Sequence, residues 1–141
     1  MNFYLDANII VSLFVADAHS SLVDAWLDSE PGELFVSDFA RVEFAAVISR
    51  QIRVGAMDGE TAREALSDFD EWTRRMTQPV ETRTRDVGLA ERFTRDFATK
   101  LSAQDALHLA IASNREHHLV TFDARLAEAA RAKSVSVVLP G

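Results

Sequence analysis

The chain has 141 residues, no cysteine and a formal net charge of −7. A chain of this length buries roughly 68–70% of its unfolded surface on folding and forms a core without staples. Residues 1–141 therefore read as a single domain, and disulfides and thiolate metal sites are excluded. The acidic balance opposes a nucleic-acid partner unless something offsets it locally; of the 15 basic residues, all but Lys100 and Lys133 are Arg, whose forks suit phosphate.

The opening "MNFYLDAN" lacks a basic n-region and holds an acid, which argues against a signal peptide. No apolar run approaches the roughly 18 residues of a membrane span. A cytoplasmic protein without a membrane partner is expected. Residues 3–5 predict a short buried strand, and residues 20–29 a helix carrying Leu22, Val23, Trp26 and Leu27. After Pro31 and Gly32 comes a second strand, 34–36, then a long apolar helix, 38–53. Beyond Gly55 and Gly59, residues 60–76 keep the 3.6-residue period with Ala62, Ala65, Leu66, Phe69, Trp72 and Met76. A weaker third strand is predicted at 80–84, helices at 87–98 and 103–116, a fourth strand at 118–122, a helix at 124–133 and a fifth strand at 135–139. Strands alternating with helices predict βαβ units, and continuously apolar strands predict burial on both faces. The expected fold is α/β: a three-layer α/β/α domain with a parallel sheet of about five strands.

Ligands bind an open parallel sheet at the carboxyl ends of its strands. Asp6 follows the first predicted strand and Asp123 the fourth, so both belong to that edge. Asp105 lies in the opening turn of the apolar helix "LSAQDALHLAIA". Glu43 lies one and a half turns into another apolar helix, crowded in sequence by Val42, Phe44, Ala45, Ala46, Val47 and Ile48. Plainer roles exist for each: Asp6 and Asp123 as helix N-caps, Ser102 with Asp105 as a capping box, Glu43 as an exposed rim residue. Their coincidence is less easily explained that way. Four carboxylates converging on one cleft raise one another's pKa values, and a divalent cation removes the penalty. With oxygen ligands only, that cation is Mg²⁺ or Mn²⁺, and its chemistry is phosphoryl chemistry: hydroxide from water, with a second ion about 3.5–4 Å away steadying the leaving oxygen.

"YLDANI", the Glu43 helix, "QDALHLAIA" and "LVTFD" resemble the PIN domain and, in detail, the VapC toxins of bacterial toxin–antitoxin pairs. The resemblance runs along the whole chain and is most specific in "DALHLAIA…LVTFDARLAEAA". It implies that Asp6, Glu43, Asp105 and Asp123 hold Mg²⁺ or Mn²⁺ and cleave RNA. It also implies that Asn8 supports the site with Thr121 beside it, and that the protein is a homodimer inhibited by a cognate antitoxin whose C-terminal segment blocks the groove. Arg125 stands where many relatives add another acid, a departure that bears on a second metal rather than the first.

Other residues read more plainly. His108, one turn beyond Asp105, is expected to be a satisfied core histidine. His117 and His118 are expected in a solvent-exposed turn. His19 is expected at a helix start, Ser20 and Ser21 as N-cap candidates, and Trp26 and Trp72 as core or dimer contacts. Arginines pair at 50 and 53, 74 and 75, 83 and 85, and 92 and 95. Arg74, Arg75, Arg83 and Arg85 are the candidate RNA contacts, against the alternative of solvated helix faces in i,i+3 and i,i+4 ion pairs. A receiver-type phosphoacceptor domain is the alternative function, but it needs an acidic pair after strand one, an Asp after strand three and a late Lys; here the predicted third strand ends at Thr84 and Arg85, and neither Lys100 nor Lys133 follows a late strand. An aspartate-nucleophile phosphatase needs D-x-D where this chain has Asp6-Ala7-Asn8. A catalytically inactive PIN-like scaffold is a third reading, and the presence of all four acids weighs against it.

Overall fold

In the computed structural model, which describes residues 1–141, side chains alternate along the first strand, β1 (Asn2–Leu5). Phe3 and Leu5 enter one hydrophobic core, Tyr4 another. The period of two that defines a strand thus makes β1 the divider between two cores. The chain continues through α1 (Ala7–Phe14), α2 (Ser20–Asp28), β2 (Glu33–Ser37), α3 (Asp38–Arg53), α4 (Gly59–Met76) and β3 (Thr77–Val80). It then forms α5 (Thr84–Arg95), a 3-10 turn at Phe97–Thr99, α6 (Ala103–Arg115), β4 (His118–Val120), α7 (Ala124–Ala132) and β5 (Val137–Val138). All pairings are parallel and the strand order is β3-β2-β1-β4-β5.

The core on the Phe3 face joins residues of α1 to α4, including Ile9, Val23, Phe44 and Phe69. The core on the Tyr4 face joins α5, α6 and α7 through Phe93, Leu109, Ile111 and Leu126. The expected three-layer α/β/α architecture is therefore present. The chain winds outward from β1 to β2 and β3, then returns to place β4 on the other side of β1. The boundary between β1 and β4 is the switch point at which such sheets bind ligands. No helix is long and apolar enough to cross a membrane.

Three local expectations are corrected. The third strand is Thr77–Val80, not 80–84. It pairs only with β2, and an edge strand tolerates Pro79, which cannot donate to a ladder. The β-branched "VETRT" reads as a strand, but Asp86 accepts the backbone N–H of Arg83 at 2.8 Å and opens α5 at Thr84, three residues before the predicted start. Second, α1 is an additional helix: its Ile9-Ile10-Val11 run has strand-like composition, and tertiary burial of Ile9 and Ile10 decides for helix. Third, His117 is buried rather than solvated. Glu116 adopts φ 56° at the end of α6 and turns the chain so that the His117 ring lies 4.2 Å from that of Phe35. Burial, with Arg115 nearby, holds its pKa below the ordinary value. His118 is half-buried, begins β4 and stacks on Phe3 at 5.1 Å.

One buried charge fixes the far end of the second core. Asp86 is fully buried and accepts from Arg115 at 2.9 and 3.0 Å and from Asn114 at 2.8 Å. Burial alone raises a carboxyl pKa, but these donors outweigh it and hold Asp86 below its usual range.

Candidate active site

Asp6 leaves β1 at its carboxyl end, and its backbone N–H continues the ladder to the carbonyl of Val120 at 3.0 Å. It occupies the N-cap position of α1 but makes no capping bond with its side chain. Instead, Asp6 Oδ2 accepts the hydroxyl of Thr121 at 2.7 Å. Thr121 Oγ1 in turn accepts from Asn8 Nδ2 at 3.2 Å and from the backbone N–H of Asp123 at 3.0 Å. Asn8 Oδ1 accepts the backbone N–H of Phe122 at 3.2 Å. This chain of bonds ties the end of β1 to the end of β4 across the switch point. The expected supporting residues Asn8 and Thr121 are its two central members.

Asp123 does cap α7: its Oδ1 accepts from the backbone N–H groups of Arg125 and Leu126 at 2.9 and 3.2 Å. The capping fixes one oxygen and leaves the other to the cleft that Asp123 lines. Asp105 stands at the third position of α6, which Ser102 caps by accepting its backbone N–H at 3.2 Å. Glu43 projects from α3 as a half-buried rim residue, with Val42 beside it 65% exposed. The apolar crowding expected around Glu43 is therefore one-sided. Phe44 and Ile48 face the core, whereas Val42, Ala46 and Val47 line the cleft.

All four acids line one cleft of about 860 Å³ at the carboxyl edge of the sheet. Their charges interact. Burial first, then the charges of Asp6 and Asp123, push the Asp105 carboxyl up to about 6. Asp6 is also raised, chiefly by burial, with His108 and the Thr121 hydroxyl opposing. His108 is fully buried, as expected of a core histidine, but it is also wired to the site. Its Nε2 bonds Glu43 Oε1 and lies 3.7 Å from Asp6 Oδ1, while its Nδ1 hydrogen-bonds the Tyr4 hydroxyl at 2.6 Å. Tyr4 reaches on to Ser37 Oγ at 2.7 Å. Burial works against the charged imidazole, yet the bond to Glu43 and the Asp6 charge raise its pKa above the ordinary value. His108 thus holds the Glu43 side chain beside Asp6.

No group of three or more acids and histidines forms a preset metal cage. The oxygen-only donor set and the mutual repulsion at Asp105 fit a hard cation that keeps most of its water and takes one or two carboxylates directly, the usual habit of Mg²⁺.

The structure brings Arg50 and Arg53 to the wall of this cleft, and not Arg74, Arg75, Arg83 or Arg85. Arg74 and Arg75 lie near the amino ends of β2 and β3, and Arg83 and Arg85 near Pro79 and His117. The sequence did carry a signal for the cleft pair. Arg50 is seven residues beyond Glu43 on one helix, two turns along the same face.

The chain belongs to the PIN domain family, whose model matches residues 3–132. No curated protein matches it. Among solved structures it is similar to FitAcB from Neisseria gonorrhoeae, at 18% identity and TM-score 0.69, covering 98% of this chain and 97% of that one. It is similar to VapBC2 from Rickettsia felis bound to a promoter DNA fragment, at 14% identity and TM-score 0.72, covering 98% of each chain. It is also similar to Mycobacterium tuberculosis VapC20, described as a sarcin-ricin loop cleaving toxin, at 15% identity and TM-score 0.73, covering 90% of this chain and 94% of that one. At these identities the likeness is one of fold.

Proposed function

We propose that this PIN-domain protein is a metal-dependent endoribonuclease and the toxin of a toxin–antitoxin pair. The observation that carries the reading is the convergence of Asp6, Glu43, Asp105 and Asp123 on one cleft, where burial first and then the charges of Asp6 and Asp123 push Asp105 up to about 6. Solved structures of similar fold include a toxin–antitoxin complex from Klebsiella pneumoniae and a sarcin-ricin loop cleaving toxin.

The four acids are the residues that would hold Mg²⁺ or Mn²⁺, which when bound supplies a Lewis acid that brings the ionisation of water toward neutral pH. The chain's own residues do the rest. Thr121 and Asn8 orient Asp6, capping fixes Asp123, and His108 restrains Glu43 through one oxygen. Arg50 and Arg53 meet the phosphates of the substrate; Arg74, Arg75, Arg83 and Arg85 serve only an RNA long enough to leave the cleft. A cognate antitoxin segment would cover the exposed apolar face of α3 around Val42, and the toxin would act as a homodimer in the cytoplasm.

The test is cleavage of structured RNA by the purified protein. Activity is expected with Mg²⁺ or Mn²⁺, lost in EDTA and restored by added Mn²⁺. Full activity in EDTA with 2′,3′-cyclic phosphate ends would overturn the reading. Inactivity under all conditions in a well-folded protein would favour a PIN-like scaffold.

A further inference from the structure

The cleft holds an aromatic feature that the acid chemistry does not use. The ring of His19 lies on that of Phe122, centroids 4.3 Å apart and planes 14° from parallel. Both residues line the same cleft as the four acids. Phe122 is half-buried and packs against the core, while His19 is exposed. One imidazole face is therefore covered and the other is open to an incoming ring.

The pair is fixed in place from two sides. The backbone N–H of Phe122 donates to Asn8 Oδ1, so the bonds that orient Asp6 also set the lower ring. His19 is held through Asp17, which accepts the His19 backbone N–H at 2.8 Å and the Ser12 hydroxyl at 2.9 Å. Ser12 is buried in α1. Asp17 thus organises the start of α2 together with Ser20, whose Oγ accepts the Asp17 backbone N–H at 3.0 Å, and the imidazole makes no capping bond. A flat, pre-ordered π-face beside a phosphate-cleaving centre suits an unpaired nucleobase. Every base offers a π-face, and stacking on aromatic side chains is how proteins grip single strands. Arg50 and Arg53 lie on α3 in the same cleft, where Arg53 donates to Ser49 Oγ at 2.9 Å, and can meet the adjoining phosphates.

We propose that the His19–Phe122 stack is a nucleobase subsite, on which one unpaired base of the RNA stacks against His19 next to the phosphate that is cut. The inference rests on the ribonuclease reading of the cleft. It makes single-stranded RNA, or an extruded loop base, the substrate class. It also makes the subsite tolerant of base identity, because stacking reads no hydrogen-bonding edge.

The test uses a short single-stranded RNA carrying one 2-aminopurine, whose fluorescence falls when it stacks. It is titrated in Mg²⁺ into the full-length Asp105→Asn protein, and cleavage kinetics are measured in parallel on protein that keeps Asp105. Binding is expected to quench the probe. His19→Ala should abolish the quench, weaken binding by about fivefold or more and raise KM for cleavage by a similar factor. His19→Phe, which restores a ring, should recover the quench, and an unchanged melting temperature for His19→Ala shows that the fold is intact. If RNA binds and is cut but His19→Ala quenches and binds like its parent, the subsite is refuted while the ribonuclease reading stands. If the parent neither binds nor cuts RNA, the ribonuclease reading falls and the subsite falls with it.

Discussion

Asp105→Asn distinguishes a structural acid from a site acid. Asn is nearly isosteric, and the Ser102 cap accepts the backbone N–H of residue 105, which the substitution preserves. If Asp105 were only part of a helix start, the change would cost little. As a member of the acidic cleft, its carboxyl is raised from 3.8 to about 6 by burial and by Asp6 and Asp123. A raised folded-state pKa means that the folded protein holds this proton more tightly than the unfolded chain. The charged form is therefore the strained one, and the metal-free protein loses stability as pH rises from about 4 through about 6. Two pKa units correspond to roughly 3 kcal/mol. Solvent reaches this half-buried carboxylate and screens part of that, leaving about 1–2 kcal/mol. For a chain of this size, Asp105→Asn should raise the metal-free melting temperature at pH 7 by about 3–6 °C. The advantage should vanish below about pH 4, where the parent carboxyl is protonated in both states. Added Mg²⁺ should stabilise the parent more than the variant, since binding to the native state alone shifts the melt, and cleavage should be lost. Thermal melts across pH with and without Mg²⁺, beside an RNA cleavage assay, make the measurement. A variant that melts lower at pH 7, keeps its Mg²⁺ response and still cuts RNA would refute the reasoning.

Thr121→Val removes the hydroxyl at the centre of the Asp6–Asn8–Asp123 bonds without changing side-chain size; it should cost about 1–3 kcal/mol in a denaturant melt and lower cleavage further than that loss accounts for. Tyr4→Phe strips His108 Nδ1 and Ser37 of a buried partner; about 1–3 kcal/mol of destabilisation is expected, and an unchanged urea midpoint would show that the network is redundant. Alanine at Arg50 or Arg53 should flatten the dependence of log binding on log salt by about one unit each, whereas Arg74, Arg75, Arg83 and Arg85 should leave the slope for a short oligonucleotide untouched. Equal slopes for all six would remove the arginines from the binding site.

The acids were legible because their positions follow from local pattern. A charged residue directly after a buried strand, or inside an otherwise apolar helix, stands out whatever the tertiary structure. Asn8 and Thr121 were legible through family resemblance, but the bond between them spans 113 residues and no local pattern contains it. The wiring of His108 was not legible for the same reason. Its burial follows from the apolar helix around it, whereas its bond to Glu43 depends on how α6 packs against α3. Strand β3 was misplaced because "VETRT" has strand composition while "TQPV" does not, and only the sheet edge reveals that a proline is tolerated there. Helix α1 was missed because its Ile9-Ile10-Val11 run has strand composition, and only the tertiary burial of Ile9 and Ile10 reveals the helix.

The junction between β1 and β4 also has a consequence for the order in which the protein comes into being. Asp6, Glu43 and Asp105 are all translated before the strand that completes their cleft, and Thr121, which bonds Asp6 from 115 residues away, follows that strand. A nascent chain therefore carries three of the four acids before the cleft they line is complete. The cleft is complete only once β4 is seated beside β1, with Asp123 opening α7 behind it. Contacts so distant in sequence form slowly, so a delay between synthesis and the completed cleft is built into the topology, and a chain truncated before residue 118 lacks the strand that completes it.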